Sequence, residues 1–184
     1  MSIATAFKLN HNNGLAINRY PPTVTPDISV DEALARMTQT HSSCLLVLAN
    51  HQPNSPVVGI FTERDTVQLI ASGVDWRTLS LASVMTTSVM TITETESQDI
   101  VIVINRLRQY KIRHLPVVGE RGNLIGVITP QTIRDVLQPV DLLNHKKVSE
   151  VMATRVIHAM GTTSILELAQ LMNAQRVSCV VIVE

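Results

Sequence analysis

Gly59-Ile-Phe-Thr-Glu-Arg-Asp65 and Gly126-Val-Ile-Thr-Pro-Gln-Thr132 are two versions of one pattern, and they carry the strongest structural signal in the chain. In each copy, a glycine followed by two apolar residues predicts a β-strand, and a threonine marks the start of a helix. The second copy places Pro130 at the first helical position, where proline is favoured. Each stretch therefore predicts a strand that runs directly into a helix.

An apolar strand precedes each copy of this pattern, and its counterpart occurs a third time near residue 184. The three segments are Cys44-Leu-Leu-Val-Leu48, His114-Leu-Pro-Val-Val118 and Cys179-Val-Val-Ile-Val183. Turn residues follow the first two, at 50–56 and 120–123, and predict β-hairpins. The third copy has neither the Gly-x-x-Thr element nor a second helix after it. The aligned Cys44 and Cys179 are predicted to be buried packing residues.

A helix with one apolar stripe is predicted before each of these strands, because apolar residues recur at the i, i+3, i+4, i+7 spacing. Ser29 with Glu32 and Ser164 with Glu167 predict capping boxes for the first and third helices, and Thr95 with Gln98 offers one for the middle helix. The apolar quartets are Val30, Ala33, Leu34, Met37; Ile100, Val103, Ile104, Leu107; and Ile165, Leu168, Ala169, Met172.

A lead-in strand is predicted before each helix. Val84–Val89 and Val151–Val156 share the pattern Val-Met-x-Thr-x-Val, and Arg19–Val24 contains two prolines that favour an extended chain. The complete repeat is therefore strand, helix, strand, strand, helix. Two full copies and the first part of a third are expected.

Composition excludes several classes of function. Lys plus Arg equals Asp plus Glu at 15 each, so no basic surface for nucleic acid is expected. The apolar runs, such as 44–49 and 100–104, are far shorter than the ~20 residues of a membrane span, and no insertion into a membrane is expected. The two cysteines and scattered histidines predict no metal site and fit a cytoplasmic protein. No nucleophile elbow, phosphate loop or dinucleotide fingerprint occurs, and no catalytic activity is expected.

The repeat order, the Val-Met-Thr lead-in and the two quoted strands resemble the cystathionine-β-synthase (CBS) domain. The resemblance implies an α/β (α+β) fold in which residues 17–80 and 81–140 are two repeats, packed sheet to sheet as a pseudo-two-fold disc called a Bateman module. Residues 148–184 would be a partial third repeat. The chain also resembles the sensory region of cyanobacterial-type multidomain signalling proteins. That likeness implies an output domain, for example a kinase or cyclase, on a longer chain.

The resemblance further implies an adenine nucleotide (AMP, ADP or ATP) as a regulatory ligand, bound between the repeats. Thr62 and Asp65 would bind the ribose, and Thr129 with Thr132 would form a weaker second site because Thr132 replaces the expected aspartate. Without the resemblance, Thr62 and Asp65 are explained as a helix cap and a first-turn acid. The remaining implied ligand contacts are Thr23, Val24, Thr25 and Ile60 for adenine, and Arg64, Arg113 and His114 for phosphate.

Two functional hypotheses remain open at this point. The first is a ligand-sensing module, which the presence of Thr62 and Asp65 favours. The second is a ligand-free dimerisation scaffold, which the threonine at position 132 favours. A homodimer is predicted in either case from the apolar faces of the second helices, at Val67, Leu69, Ile70 and at Ile133, Val136, Leu137. The third repeat is predicted to pack on its own disc, to pack on a partner, or to be mobile.

Overall fold

The computed structural model describes residues 17–52, 54–136 and 147–184, which form three successive repeats. The mixed fold class is confirmed. The first repeat contains β1 (Thr23–Val24), α1 (Val30–Thr40), β2 (Cys44–Leu48), β3 (Val57–Thr62) and α2 (Glu63–Ser72). The second contains β4 (Ile92–Thr93), α3 (Ile100–Tyr110), β5 (Leu115–Val118), β6 (Leu124–Ile128) and α4 (Pro130–Val136). The third contains α5 (Val148–Val151), β7 (His158–Met160), α6 (Ile165–Gln175) and β8 (Val181–Val183).

Each repeat builds its own small sheet. In the first, β2 lies in the middle, parallel to β1 and antiparallel to β3, with Cys44 opposite Thr62. The second sheet repeats this arrangement with β5 in the middle. The third sheet pairs β7 with β8 in parallel. The parallel pairs follow from the helix that connects their strands, since a parallel pair needs a long crossover connection.

The helix starts agree with the sequence in two of three cases. Ser29 Oγ accepts from the Glu32 N–H at 3.1 Å and begins α1, as predicted, but the Glu32 carboxylate does not accept from the Ser29 N–H, so only half of the predicted capping box forms. Ser164 and Glu167 form the complete predicted capping box of α6. The prediction for the middle helix is wrong: Asp99, whose carboxylate accepts from the Val101 N–H at 2.8 Å, caps α3. The segment from Glu96 to Gln98 is a separate 3₁₀ turn before that cap.

The lead-in strands also differ from the prediction in two repeats. The parallel partner of β5 is Ile92–Thr93 rather than 84–89, and the partner of β8 is His158–Met160 rather than 151–156. The predicted segments precede these strands, and 148–151 is helical. From the sequence, α4 is expected to stop just before Pro139, a position that lies outside the described residues.

Successive side chains of β2 pack alternately in two different hydrophobic cores. Leu45 and Val47 pack in the core of the first repeat, under α1. Cys44 and Leu46 point to the opposite face and pack with Val127 of the second repeat. Because successive strand side chains point to opposite faces, one five-residue strand serves both the repeat core and the contact between repeats.

The two repeats also exchange backbone hydrogen bonds. Ile60 on β3 pairs with Thr86, and the N–H of each donates to the carbonyl of the other at 3.0 Å. Val127 on β6 pairs in the same way with Asn18, with both bonds at 2.9 Å. The segment that precedes each repeat therefore extends the sheet of the other repeat, and the two repeats are joined into one disc.

The third repeat packs on its own chain, which agrees with one of the three predicted outcomes. Helix α6 lies against α2, and Gln170 Nε2 donates to the Ala71 carbonyl at 3.5 Å. Arg113 Nη2 donates to Ser178 Oγ at 2.7 Å. Much apolar surface of this repeat stays exposed, including Ile165 at 70% and Ile182 at 55%. Helix α2, whose apolar residues were predicted to form a homodimer, therefore contacts α6, and its Leu69 packs against the core of the first repeat.

Among the described residues, no helix combines the length and apolar character needed to cross a bilayer.

Candidate functional site

The start of α2 forms the first candidate site, which we call cleft one and define by Thr62, Asp65, Thr86 and His114. The Thr62 N–H and hydroxyl both donate to Asp65 Oδ2 at 2.7 Å. The Thr86 hydroxyl donates to Asp65 Oδ1 at 3.4 Å. One carboxylate therefore receives donors from both repeats. It acts as a helix cap in this structure, and the same oxygens are the acceptors that a ligand hydroxyl needs.

His114 reaches the same helix start from the second repeat. Its Nε2 lies 2.7 Å from Ser43 Oγ, and the Ser43 carbonyl accepts from the Glu63 N–H at 3.2 Å. Burial, together with the charge of the neighbouring Arg113, lowers the pKa of His114 to about 4. The imidazole is therefore neutral near pH 7. A neutral imidazole supplies hydrogen bonds but no positive charge, and the positive charge nearby belongs to Arg113.

Arg113 and Arg64 are both exposed. Arg64 lies in the first turn of α2. Arg113 is adjacent to His114 and is turned toward the third repeat, where it contacts Ser178. The predicted cations thus lie near cleft one, and one of them has a second role in holding the third repeat.

The structure does not bring Thr23, Val24 and Thr25 to cleft one. Thr23 and Val24 form β1 and Thr25 follows it, and β2 separates β1 from β3, where Ile60 and Thr62 lie. Val24 and Thr25 are buried, and Thr25 Oγ1 lies 3.5 Å from His51 Nε2. Thr23 and Val24 lie apart from Ile60 because they pair with β2 in the first sheet, whereas the segment that precedes the second repeat pairs with Ile60 on β3. The segment beside Ile60 is therefore 85–87, and Thr86 is the residue that sequence reasoning missed.

The start of α4 forms the second candidate site, which we call cleft two. It contains a cavity of about 520 Å³ between the second repeat and the segments 17–22 and 41–44 of the first. Thr132 Oγ1 accepts from the Thr129 N–H at 2.9 Å and donates to the Thr129 carbonyl at 3.0 Å. Its hydroxyl is therefore committed to the turn. Asp135, one helical turn later, also lines the cavity and was not predicted.

The cysteines do not form a reactive site. Burial raises the pKa of the Cys44 thiol to about 12, so it stays protonated and packs as a small apolar residue. Cys179 is exposed, which contradicts its predicted burial. In the described part of the chain, no second sheet packs on β8 in the way that the second repeat packs on β2. No group of histidines, cysteines and acids among the described residues is arranged to hold a metal ion.

Comparison with known proteins agrees with this architecture. The chain matches the CBS domain family over residues 15–72, 81–139 and 148–184. It is 30% identical over 117 residues to the mitochondrial CBS domain-containing protein CBSX3 of Arabidopsis thaliana, which covers 63% of this chain and 54% of that protein. It is 30% identical over 139 residues to an inosine-5′-monophosphate dehydrogenase of Nitrosopumilus maritimus, which covers 73% of this chain and 25% of the enzyme. The chain thus spans about half of the first relative and a quarter of the second.

Solved structures show the same fold. Protein MJ1225 from Methanocaldococcus jannaschii, proposed as an archaeal homologue of γ-AMPK, superposes with a TM-score of 0.79 at 20% identity, covering 92% of this chain and 64% of that one. The CBS domain pair of protein MJ0100, in complex with 5′-methylthioadenosine and S-adenosyl-L-methionine, superposes with a TM-score of 0.57 at 23% identity, covering 65% of this chain and 93% of that one. The family model matches three stretches that together span most of the chain, and the chain belongs to the CBS domain family.

Proposed function

We propose that this chain is a regulatory module that binds an adenine nucleotide in cleft one and transmits its occupancy to the rest of the protein. The observation that carries the proposal is the exchange of Thr86 and Asn18 between the two sheets. Because of this exchange, residues from both repeats meet at the Asp65 carboxylate. A ligand that contacts both repeats favours one relative arrangement of the two, which is the requirement for a sensor.

Relatives support a ligand of the adenosine class. The MJ0100 domain pair was solved with two adenosine derivatives. In this chain, the Asp65 carboxylate would exchange the weak Thr86 contact for the hydroxyls of a ribose. Thr62, Ile60 and Thr86 would flank the nucleoside, and Arg64 with Arg113 would supply charge for phosphate oxygens.

Two contacts connect cleft one to the third repeat. Helix α2 begins at cleft one and carries α6 on its outer face. Arg113 is next to His114 and is hydrogen-bonded to Ser178. A phosphate that draws Arg113 into cleft one would release Ser178, so ligand binding and docking of the third repeat would compete for one guanidinium. A longer chain that carries an output domain such as a kinase or cyclase, in a cytoplasmic signalling protein, would receive the change through this repeat.

Calorimetry with AMP, ADP and ATP on the purified chain tests the proposal. We expect saturable binding of at least one nucleotide, and at least tenfold weaker binding by the Asp65→Ala variant. The Asp75→Asn variant is the matched control, because Asp75 is an exposed acid that pairs with Arg77. Absence of binding with all three nucleotides, on protein shown to be folded, would refute a nucleotide sensor.

The second candidate function is a ligand-free interaction scaffold. The observation in its favour is that Asp65 and Thr132 are both already engaged in helix capping. In that case the disc would serve to hold partner domains together, as a homodimer. Loss of nucleotide binding together with a dimer in light scattering would favour this alternative.

A further inference from the structure

The outer edge of β8 has no partner strand in the described part of the chain, where the sheet of the third repeat consists of β7 and β8. In the first two repeats, the corresponding strand lies in the middle of its sheet and pairs antiparallel with β3 or β6. The Val181 N–H donates to the Ile157 carbonyl at 3.0 Å, so the backbone of Val181 faces β7. Because successive residues of a strand direct their backbone groups to opposite edges, the N–H and carbonyl of Ile182 point to the open edge.

The side chains of β8 are exposed where their counterparts in the first repeat are buried. Ile182 lies opposite Ala159, which is the place of Val47 in the register of the first repeat. Val47 is fully buried and packs with α1, whereas 55% of Ile182 is exposed. Most of the large apolar side chains that are exposed among the described residues belong to the third repeat. A contiguous apolar surface of this kind is typical of a protein–protein contact.

Apart from its length of three residues, β8 has none of the features that keep exposed strand edges from pairing. Such edges usually carry lysine, proline, an inward-pointing charge or a bulge. All residues of β8 are β-branched and uncharged, and its register with β7 is regular. Basic and acidic residues balance within 147–184, so two copies of the third repeat do not repel each other through net charge. The charged residues are Lys147, Arg155 and Arg176, and Glu150, Glu167 and Glu184.

We propose that β8 forms a homodimer interface, in which it pairs antiparallel with the β8 strand of a second copy of this chain. A two-fold axis perpendicular to the sheet places a strand antiparallel to its own copy. Antiparallel is also the direction in which β2 and β5 pair with their outer neighbours. The pairing centres on Ile182, whose N–H donates to the carbonyl of the same residue in the second copy. The result is one sheet of four strands, in the order β7-β8-β8-β7.

This interface covers the apolar surface that the third repeat leaves open. The two Ile182 side chains lie next to each other at the centre of the joined sheet, on the face that Val47 occupies in the first repeat. The interface differs from the faces of α2 and α4 that the sequence suggested for a dimer. It is also separate from cleft one, so it does not depend on nucleotide binding.

Sedimentation velocity of the whole chain, at concentrations up to about 100 μM, tests the interface. We expect the wild type to dimerise, and the Ile182→Lys variant to dimerise at least tenfold more weakly, because lysine protects a strand edge. The Ile182→Pro variant should behave alike, since it removes the outward N–H and leaves the bond between Val181 and Ile157 in place. Val148→Lys is the matched control, because Val148 is 75% exposed and lies outside the sheet. Circular dichroism checks that each variant is folded.

Cross-linking tests the register independently of these variants. Directly opposed residues of a hydrogen-bonded antiparallel pair have Cα atoms about 5.5 Å apart. That separation lies within the range of ~4.4–6.8 Å found for disulfides. The Ile182→Cys variant, combined with Cys179→Ser, should therefore form a disulfide-linked dimer on mild oxidation, while Val148→Cys in the same background should not. The remaining Cys44 is buried.

Two results would overturn the proposal. One is a wild-type chain that stays monomeric at about 100 μM. The other is a dimer that Ile182→Lys and Ile182→Pro leave intact and that Ile182→Cys does not cross-link, because such a dimer uses another surface.

Discussion

His114 Nε2 lies 2.7 Å from Ser43 Oγ, so a side chain of the second repeat is hydrogen-bonded to a side chain of the first at the start of α2. Burial of this imidazole lowers its pKa to about 4. A neutral histidine therefore makes this contact between the repeats. Protonation of the imidazole at low pH is expected to weaken the contact.

We expect the free energy of unfolding to fall as the pH drops from about 6.5 towards 4, because the unfolded chain binds a proton at His114 that the folded chain excludes. The contribution of His114 is fully present above the unfolded pKa and is lost through this window. Titration of His114 changes the free energy of unfolding by at most about 1.4 kcal/mol per pH unit. Urea unfolding across this range measures it. The His114→Gln variant should have a smaller slope, and the exposed His41→Gln variant should keep the wild-type slope.

The Asp65→Ala change is expected to lower stability as well as nucleotide affinity. Asp65 caps α2 and accepts two donors from Thr62, so its removal is expected to cost roughly 1–2 kcal/mol. Asp65→Asn keeps an acceptor for the Thr62 N–H and should restore most of this stability. Urea unfolding measures both variants. A fully stable Asp65→Ala variant would show that the cap contributes little.

Two glycine substitutions test the exchanged segments. A Cβ at Gly126 would overlap the Asn18 carbonyl oxygen, a backbone atom, and the Ile17 side chain. A Cβ at Gly59 would overlap the sulfur of Met85, which belongs to a flexible side chain that can move. Gly126→Ala is therefore expected to cost about 2–3 kcal/mol and Gly59→Ala about 1 kcal/mol. Equal melting temperatures of the two variants would contradict this difference.

Removal of the Arg113 guanidinium should loosen the third repeat. In the Arg113→Ala and Ser178→Ala variants, which lose the same hydrogen bond, we expect faster amide hydrogen exchange in 165–183 than in the wild type. The exposed Arg121→Ala variant is the control and should leave the exchange unchanged. Loss of this hydrogen bond is expected to lower the free energy that holds the third repeat in place by about 1 kcal/mol or less, because the bond is exposed to solvent. If only one of the two variants changes exchange, the bond is not what holds the repeat.

The elements of the fold could be predicted from the sequence because they depend on local patterns. The apolar spacing from Val30 to Met37 and the threonine before Glu63 placed α1 and α2 correctly. The middle helix was misassigned at its start because Thr95 and Asp99 both offer caps, and only the observed geometry chooses between them. When two residues close together in sequence can each cap a helix, the spacing of the apolar residues does not decide which of them does so.

The composition of the two clefts was not predictable in the same way. Asp65 was identified from its motif, but its partner Thr86 comes from another repeat. The pairing of Ile60 with Thr86 depends on tertiary packing, for which a single sequence gives no register. The Val-Met-x-Thr-x-Val pattern, which occurs at 84–89 and 151–156, is the available signal, although the pattern alone predicts a strand of its own repeat.

The pairing of Asn18 with Val127 bears on how the chain folds. Two residues separated by more than half of the chain close the edge of one sheet, so the contact order is high and loop closure is slow. During synthesis, the first repeat emerges with Asn18 unpaired until β6 has left the ribosome. Formation of this late contact should limit the folding rate, and the two repeats should unfold as one cooperative unit. A chain cut between them should recover its fold only when both halves are mixed.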